Sequence, residues 1–263
     1  MRIKLFIIVF LFLVASCKKD NDFGEQIEVS GGYQYGNGFF IINEGNFNQG
    51  NGSVYFYNSD LEKLYENIFQ EANDRPVGDI PQSMAIINDK GYVVVNNSGK
   101  IEIVGLNDFS FESVIEGLPS PRYIHQIDQD KAYISDLKST SMHVMDLNSK
   151  KVTGTIECGK STDRMVLLNQ RIFVCNWSAY YNNEENNTIS VIDAENNDFI
   201  NYIEVTKEPN SIVIDKNNDI WVLCSGGFMN EERPSLYCID GINHSIIKKL
   251  DFPDQSSNPT NLT

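Results

Sequence analysis

Three large aromatic side chains occur together in a polar stretch of the chain, which is an unusual place for them in a soluble protein. Trp177, Tyr180 and Tyr181 lie among asparagines, between an apolar run that ends at Cys175 and another that begins at Ile189. Aromatic rings on a loop that a rigid scaffold holds are suited to recognising a ligand or a partner. The alternative is that these rings pack onto neighbouring structure. The stretch is therefore a candidate binding segment.

Acidic side chains offer a second kind of chemistry. Glu44, Asp136 and Asp163 could approach one another in the folded chain, which would give a paired-carboxylate or calcium site. No histidine joins them, since His125 and His143 fall within expected strands, and the sequence shows no recognised catalytic signature. We therefore expect no enzymatic activity, no cofactor and no metal site.

Charge and cysteine content narrow the range of partners. The formal net charge is −15, which would repel a phosphate backbone, so nucleic-acid binding is not expected. No two cysteines have the CxxC spacing of a metal site. A disulfide is possible in an oxidising compartment, but the sequence assigns no pairing among Cys158, Cys175, Cys224 and Cys238.

The N-terminus predicts export. Arg2 and Lys4 precede the apolar run "LFIIVFLFLV" and the small residues "VAS", which is the pattern of a secretory signal over residues 1–16. The run is shorter than the ~20 residues of a membrane span. The following Cys17 resembles the lipidated cysteine of bacterial lipoproteins, and residues 17–37 would form the tether. The charged stretch after Cys17 resembles surface-export signals of Bacteroidetes. We expect an outer-membrane lipoprotein that faces the exterior, with a periplasm-facing protein as the alternative.

An internal repeat dominates the remainder of the chain. An aromatic residue near the start of an apolar strand recurs at Tyr92, Tyr133, Phe173 and Trp221, in steps of 41, 40 and 48 residues. An aspartate that ends a later strand recurs with a spacing of 47 residues, at Asp146, Asp193 and Asp240. Several short strands in each repeat of about 40 residues predict a β-propeller.

The predicted fold is all-β, with about five four-stranded antiparallel blades in a domain over residues 38–263. We label the strands of each blade A to D in chain order. The first copy, from Gly38, shows no clear leading strand. The last repeat has only begun, because residues 259–261 parallel residues 209–211. We therefore expect a C-terminally incomplete fragment that lacks about two blades of a seven-bladed ring. A five-bladed closure with a disordered tail is the alternative.

Strand alternation sorts the connections between the two ends of the blades. In an antiparallel blade, the A–B and C–D turns share one rim, whereas the B–C loops and the D–A crossings share the other. The A–B and C–D turns are short. The long or aromatic insertions at residues 43–52, 176–187 and 225–234 are B–C loops, and the crossing over residues 69–81 is also long. The B–C rim is therefore the expected binding face.

The candidate binding residues lie at the starts of the B–C loops and at the D–A crossings. As loop asparagines and aspartates often serve as turn residues, a structural role is the alternative for many of them. The set is Asn43, Glu44, Asn96, Asn97, Arg122, Tyr123, Asp136, Arg164, Asn176, Trp177, Tyr180, Tyr181, Asn210 and Ser225, with Gln82 and Asn261 at equivalent crossings.

Several motifs carry a resemblance to a known family. The stretches "FFIINEGNFNQGNGSVYFY", "GYVVVNNSGKIEIV", "SPRYIHQI", "CNWS", "PNSIVID" and "WVLCSGG" resemble the YncE-like, YVTN-repeat surface lipoproteins of Bacteroidetes. Characterised relatives are BtuG-type seven-bladed propellers, which bind cobalamin and pass it to a TonB-dependent transporter. The resemblance implies a non-enzymatic surface lipoprotein that captures a corrinoid for such a transporter. It assigns no individual cobalamin contact.

Two other functions are compatible with the same residues. Aromatic loops bind sugars equally well, so a module that binds polysaccharide or a protein partner is the main alternative. A lactonase- or dehydrogenase-like propeller enzyme is the third possibility, and the absence of a catalytic signature argues against it. The sequence does not identify the ligand or the transporter partner.

Overall fold

The computed structural model describes residues 35–179 and 185–262. The predicted signal peptide, Cys17, most of the tether, Tyr180 and Tyr181 lie outside these residues. The described chain forms five antiparallel sheets, which confirms the predicted all-β propeller architecture. We call the sheets blades 1 to 5 in chain order. Within the described residues the five blades do not close into a ring.

The strands follow the predicted order within each blade. Blade 1 contains β1 (Gly38–Asn43), β2 (Ser53–Asn58) and β3 (Lys63–Tyr65), and helix α1 (Ile68–Asn73) follows it. Blade 2 contains β4 (Pro81–Ile87), β5 (Lys90–Val95), β6 (Lys100–Gly105) and β7 (Phe111–Glu116). Blade 3 contains β8 (Pro121–Gln126), β9 (Lys131–Asp136), β10 (Ser141–Asp146) and β11 (Lys151–Glu157). Blade 4 contains β12 (Met165–Leu168), β13 (Arg171–Asn176), β14 (Thr188–Asp193) and β15 (Asp198–Glu204). Blade 5 contains β16 (Pro209–Ile214), β17 (Asp219–Cys224), β18 (Ser235–Asp240) and β19 (Ser245–Asp251).

Blade 1 departs from the four-stranded prediction. It has three strands, and β1 pairs with β2 in the register Gly38↔Asn58, so β1 takes the place of a B strand. In the described part of the chain no A strand pairs with the other edge of β1. A concavity of about 450 Å³ lies along this edge, lined in part by the apolar side chains of Phe39, Phe40 and Ile86.

The core consists of four apolar clusters, each of which joins two neighbouring blades. Tyr92, Tyr133 and Phe173 are 0–2% exposed, which confirms that the repeated aromatics belong to the core. Trp221 of blade 5 is half-buried, and its indole N–H donates a hydrogen bond to Asp215 at 3.1 Å. Truncating one fully buried aromatic ring of this kind to alanine costs about 3–5 kcal/mol.

In blades 2 to 5, the two middle strands are largely buried on both faces. This arrangement explains why β5, β13 and β17 are continuous apolar runs, whereas the outer strand β15 has alternating exposed and partly buried side chains. Tight turns join strands A and B. Asn88 and Asp89 both adopt positive φ angles of 48° and 60°, which a two-residue hairpin turn of this type requires and which asparagine and aspartate tolerate.

In blades 3, 4 and 5, the aspartate that ends the C strand closes the following turn. The carboxylate of Asp240 accepts hydrogen bonds from the backbone N–H groups of Ile242 and Asn243 at 2.8 and 3.0 Å. Asp146 and Asp193 accept equivalent hydrogen bonds from residues two or three positions later. Hydrogen bonds from the side chain and the backbone N–H of Ser149 lower the pKa of Asp146, and hydrogen bonds chiefly from backbone N–H groups lower the pKa of Asp193 and Asp240. The repeated aspartates are therefore turn residues and lie at the rim opposite the B–C loops.

Helix α1 lies in the crossing that the sequence analysis treated as a loop. Ile68 and Phe69 are buried in the cluster between blades 1 and 2. Arg75 follows the helix and forms two hydrogen bonds with Glu102, at 2.8 and 2.9 Å, and Lys100 forms a third at 2.6 Å. Burial would raise the pKa of Glu102, but these hydrogen bonds outweigh it and lower the pKa. The Arg75–Glu102 ion pair fixes the crossing to blade 2.

No helix among residues 35–179 and 185–262 is long and apolar enough to span a membrane.

The turn aspartates predict a dependence of stability on acid. Because their folded-state pKa lies below the unfolded value, their contribution to stability is complete above the unfolded value and is lost as pH falls through the folded value. The melting temperature should therefore decrease as the pH is lowered below about 4. A triple variant, D146N/D193N/D240N, keeps the turn acceptors but cannot titrate, and its melting temperature should fall less over the same range. An identical pH profile for both proteins would contradict this role.

The four cysteines predict chemically inert thiols. Cys158, Cys175, Cys224 and Cys238 are free and between 0 and 5% exposed, and burial raises the pKa of Cys158 to about 12. A protein that begins after Cys17 should show almost no reaction with a thiol reagent when native, and four reactive thiols in denaturant. Rapid modification of the native protein, or fewer than four thiols after unfolding without reductant, would contradict this arrangement.

Candidate functional site

A cavity of about 520 Å³ opens on the B–C rim, between the ends of blades 2 to 5. It is lined by the first residues of A strands, by two B–C loops and by the segment that follows blade 5. Seven of the sequence-predicted binding residues meet here, namely Gln82, Arg122, Tyr123, Arg164, Trp177, Asn210 and Ser225. The other lining residues are Asp163, Glu208, Gly227, Phe228, Asn230, Ser256, Asn258 and Thr260.

β-Bulges place three lining side chains. Each of the strands β4, β8 and β16 begins with a proline, and the pairing register with the next strand shifts directly after it. Gln82, Arg122 and Asn210 lie at these shifts. A bulge takes a residue out of the regular ladder and redirects its side chain. The repeated Pro-x pattern therefore builds equivalent positions in blades 2, 3 and 5.

Arg122 is the centre of a polar network that joins four blades. Its Nε donates a hydrogen bond to Asp163 at 2.7 Å, and its Nη1 donates one to Gln82. Gln82 in turn donates to Glu44 of blade 1 at 3.2 Å. Burial alone would lower the pKa of Arg122, but the charge and hydrogen bond of Asp163 outweigh burial and raise it. The guanidinium is therefore charged and fixed in position.

Two aromatic rings are held by arginines. The guanidinium of Arg122 lies 5.3 Å from the ring centroid of Trp177, and that of Arg164 lies 5.1 Å from the ring of Tyr123. Such cation–π contacts contribute roughly 0.5–1 kcal/mol each at partly exposed sites. The backbone carbonyl of Trp177 also accepts a hydrogen bond from Asn186 at 3.1 Å. The start of this loop is thus fixed in position and presents the Trp177 ring to the cavity.

The B–C loop of blade 5 presents an apolar tip. Phe228 and Met229 are 86% and 75% exposed, and backbone hydrogen bonds span the loop on either side of them. Gly226 has a φ of 87°, and a Cβ there would lie 2.2 Å from the carbonyl oxygen of Glu232, so only glycine fits. The N–H of Glu232 donates a hydrogen bond to the carbonyl oxygen of Gly226 at 2.8 Å, which closes the loop. Phe228 lines the cavity, and most of its ring is exposed to solvent.

Three predicted binding residues, Asn96, Asn176 and Asp136, instead have structural roles. Asn96 is 8% exposed and donates hydrogen bonds to Ser120 and to the carbonyl of Pro121, both at 2.9 Å. Asn176 is 1% exposed and accepts hydrogen bonds from the hydroxyls of Thr188 and Ser190. Both side chains satisfy buried backbone or hydroxyl groups at the ends of B strands, which is the alternative role that loop asparagines allow.

Asp136 occupies the equivalent position in blade 3. It is 0% exposed, and its carboxylate accepts hydrogen bonds from the N–H groups of Ser120 and Lys138 and lies 3.3 Å from His143 Nε2. Asp163 accepts a hydrogen bond from Arg122, and Glu44 accepts one from Gln82. The three carboxylates considered for acid–base or calcium chemistry thus have separate partners. Among the described residues, no group of three His, Cys, Asp or Glu side chains could hold a metal ion.

The other predicted residues that the structure describes lie on the same rim but outside the cavity lining. Asn43 Nδ2 donates to Ser53 Oγ at 3.2 Å across the base of its own loop. Asn97 donates to Asn48 of blade 1 at 2.9 Å and to Asp79, and so ties two loops together. Asn261 accepts a hydrogen bond from Arg164 at 3.3 Å. Tyr180 and Tyr181 lie outside the described residues.

The cavity is electrically balanced although the chain is strongly acidic. Its lining contains two arginines and two carboxylates, Asp163 and Glu208. Asp163 is paired with Arg122, and Glu208 accepts a hydrogen bond from the hydroxyl of Ser225 at 2.8 Å. The other polar groups are neutral amides and hydroxyls. This lining suits a ligand that has no net charge where it contacts the cavity.

A larger concavity of about 610 Å³ lies at the opposite rim. Its lining includes Asp128, Lys131 and Asn197, which belong to the tight turns between strands. Asp128 accepts hydrogen bonds from the backbone of its own turn, and Lys131 donates to the carbonyl of Ala194. These side chains are engaged in turn structure, and none of the lining residues is aromatic. We therefore place the candidate site at the B–C rim.

Sequence reasoning missed several lining residues. Phe228 lies in a loop whose length was noted, but its Gly-Gly sequence gives no sign of a fixed aromatic tip. Thr260 could have been found, because the Pro259-Thr260 pair repeats the Pro209-Asn210 pair. Ser256 and Asn258 carry no signal beyond their position in the crossing after blade 5.

The fold is that of a β-propeller, which is consistent with a ligand- or partner-binding module. The chain belongs to the family described as "Domain of unknown function (DUF5074)", whose profile matches residues 37–262. No curated protein matches the sequence.

Solved structures share the fold at low identity. A quinonprotein alcohol dehydrogenase-like protein of Bacteroides thetaiotaomicron is 13% identical, with a TM-score of 0.59 over 86% of this chain and 56% of that chain. A chain of the Mitotic Checkpoint Complex is 11% identical, with a TM-score of 0.62 over 81% and 63%. Hydrazine synthase of Kuenenia stuttgartiensis is 14% identical, with a TM-score of 0.56 over 64% and 47%. The chain thus spans about half to three-fifths of these propellers.

Alanine substitutions at the adjacent residues Asn176 and Trp177 should destabilise the protein to different extents. Asn176→Ala would leave the buried hydroxyls of Thr188 and Ser190 without their acceptor, so unfolding should become easier by about 2–3 kcal/mol. Trp177→Ala removes a half-buried ring at the rim and should cost less than about 1 kcal/mol. Urea denaturation of both variants measures the difference. A cost for Trp177→Ala as large as that for Asn176→Ala would show that this ring is part of the core.

Proposed function

We propose that this chain is the ligand-binding part of a non-enzymatic surface lipoprotein, and that its ligand is a corrinoid. The observation that supports this proposal is the balanced cavity, in which two arginine-backed aromatic rings lie among neutral amide and hydroxyl side chains. Binding sites generally combine an apolar surface with a few fixed polar groups that orient the ligand.

The chemistry of a corrinoid complements this lining. A corrinoid presents a broad macrocycle fringed with neutral carboxamides. The rings of Trp177 and Phe228 offer apolar surface to the macrocycle, and Gln82, Asn210 and Asn230 can exchange amide hydrogen bonds with its fringe. The site is also open at the rim, which a ligand much larger than the cavity itself requires.

The polar network supports binding rather than catalysis. Arg122 and Asp163 neutralise each other, and Glu208 accepts a hydrogen bond from Ser225. A general base or nucleophile needs an activating partner and access to the reacting atom. These groups are instead engaged in holding the cavity walls, so we assign them to positioning the ligand.

The cellular setting follows from the sequence resemblance. Cys17 would carry the lipid anchor in the outer membrane, with the propeller on the cell surface. A TonB-dependent transporter would be the partner that receives the ligand, as in the BtuG-type lipoproteins. The likeness to the YncE-like motifs is the basis of this part of the proposal.

The direct test is titration of the soluble chain, beginning after Cys17, with cyanocobalamin by calorimetry. We expect micromolar or tighter affinity. Phe228→Ala should weaken binding about tenfold, since an exposed ring that contacts a ligand contributes on the order of 1.4 kcal/mol. Phe47→Ala is the matched control, because Phe47 is 62% exposed on the same rim but does not line the cavity.

Three results would distinguish the alternatives. Equal weakening by both Phe variants would place the contact elsewhere on the rim. An absence of heat and of a thermal shift with cyanocobalamin would overturn the corrinoid proposal. Heat with a polysaccharide instead would favour the glycan-binding module, which the aromatic and hydroxyl side chains also suit.

A further inference from the structure

Within the cavity proposed above to bind a corrinoid, we propose that the guanidinium of Arg164 donates hydrogen bonds to the carbonyl oxygen of one peripheral carboxamide of the ligand. Arg164 thereby fixes the orientation of the ligand, and the site accepts a carboxylate in place of the carboxamide at that one ligand position. This inference rests on the proposed function, and its test separates the two.

The two arginines of the cavity differ in how fully their donors are used. The side chain of Arg122 is 14% exposed and donates to Asp163 at 2.7 Å and to Gln82. Arg164 is partly exposed, and within the described part of the chain its guanidinium donates one hydrogen bond, from Nη2 to Asn261 Oδ1 at 3.3 Å. An arginine side chain carries several N–H donors, so most of those of Arg164 remain available to a ligand.

The charge of Arg164 is not neutralised by a neighbouring carboxylate. Asp163 precedes it in sequence, but Oδ2 of Asp163 accepts from Arg122 and Oδ1 accepts from the backbone N–H of Arg164 at 2.9 Å. Glu208, the other carboxylate of the lining, accepts from the hydroxyl of Ser225 at 2.8 Å. Arg164 forms no salt bridge with any residue that the structure describes. Its positive charge is therefore local, although the acidic and basic side chains of the lining are equal in number.

The guanidinium of Arg164 lies where a ligand in the cavity can reach it. Its Cζ is 5.1 Å from the ring centroid of Tyr123, which lines the cavity, and its Nη2 contacts Asn261, which is exposed. The charged end of the side chain is thus held between a wall of the cavity and the surface. Because the contact with the ring needs no hydrogen-bond acceptor, it positions the guanidinium while its other N–H groups keep their capacity to donate.

The ligand group follows from the chemistry of the guanidinium. An arginine only donates, so its partner on the ligand is an acceptor oxygen, and a hydrogen bond with one charged member is about twice as strong as a neutral one. The ligand class of the proposed function carries carboxamides on its periphery, and their carbonyl oxygens are such acceptors. A carboxylate at the same position would accept equally well. Elsewhere on the ligand a carboxylate would face neutral groups of the lining or the acidic surface, which disfavour it.

The experiment compares cyanocobalamin with its isomeric monocarboxylic acids, in each of which one peripheral carboxamide has been hydrolysed. Calorimetric titration of the wild-type chain at physiological ionic strength should show that one isomer binds at least as tightly as cyanocobalamin, because its carboxylate meets Arg164. The other isomers should bind more weakly than cyanocobalamin.

Arg164→Met removes the charge and the donors but keeps an unbranched side chain. This variant should bind cyanocobalamin about tenfold more weakly, and the favoured acid should lose about a further tenfold, so that it no longer differs from the other isomers. Arg233→Met is the matched control, because Arg233 is exposed on the same rim, does not line the cavity and forms no salt bridge with the described residues. It changes the net charge equally and should keep every affinity within about twofold, since salt screens distant charges.

The outcomes separate the inference from the proposed function. If the wild type binds cyanocobalamin but binds every acid more weakly, the inference is wrong and the proposed function stands. The same holds if Arg164→Met keeps the preference for one acid, or if Arg233→Met loses it to the same extent. If the wild type binds no corrinoid, both are wrong. Melting temperatures of the variants identify a loss of affinity that comes from misfolding, and the ligand comparison on the wild type is independent of any variant.

Discussion

The structure depends on the burial of both faces of the middle strands of blades 2 to 5. A single four-stranded sheet cannot bury both of its faces, so each blade needs a neighbour on either side, and the four apolar clusters lie between successive blades. Because the blades must stack in this way, their strands all run between the same two rims. Strand alternation then decides which connections meet. The B–C loops and the crossings between blades therefore share one rim, and the candidate site forms there.

The same packing explains how polar side chains reach the cavity. An A strand begins where the chain enters a new blade, and the proline at that point cannot donate a hydrogen bond to the ladder. The register shift after the proline releases the next residue from the regular alternation. Gln82, Arg122 and Asn210 occupy this position in three blades, with different side chains on the same backbone geometry. A repeat fold can thus vary its binding chemistry by substitution at a few bulge positions, while the apolar clusters below them stay unchanged.

The sequence predicted the fold well because its two strongest signals, the repeat period and the continuous apolar runs, arise from the packing itself. It failed where local chemistry is ambiguous. The expected rim contains Asn96, Asp136 and Asn176 at the ends of B strands. A polar residue that satisfies buried groups and one that binds a ligand have the same side chain, and only burial separates the two roles. Helix α1 was missed because it is six residues long, with left-handed conformations at Asn67 and Asp74 on either side, and so has too few turns to show a helical period. Phe228 was missed because its exposure depends on the backbone of Gly226 and Gly227.

The electrostatics of the molecule add a constraint on the ligand. With a net charge of −15, the surface as a whole repels anions, and the effect extends over about one Debye length, or ~8 Å, at physiological ionic strength. An anionic ligand would therefore need a strongly basic site to overcome this field. The cavity does not supply one, since Arg122 is neutralised by Asp163 and Glu208 balances Arg164 among the lining residues. Contacts with such a site must come from apolar surface and from neutral hydrogen bonds. The exposed ring of Phe228 offers such an apolar contact without first giving up a partner within the protein.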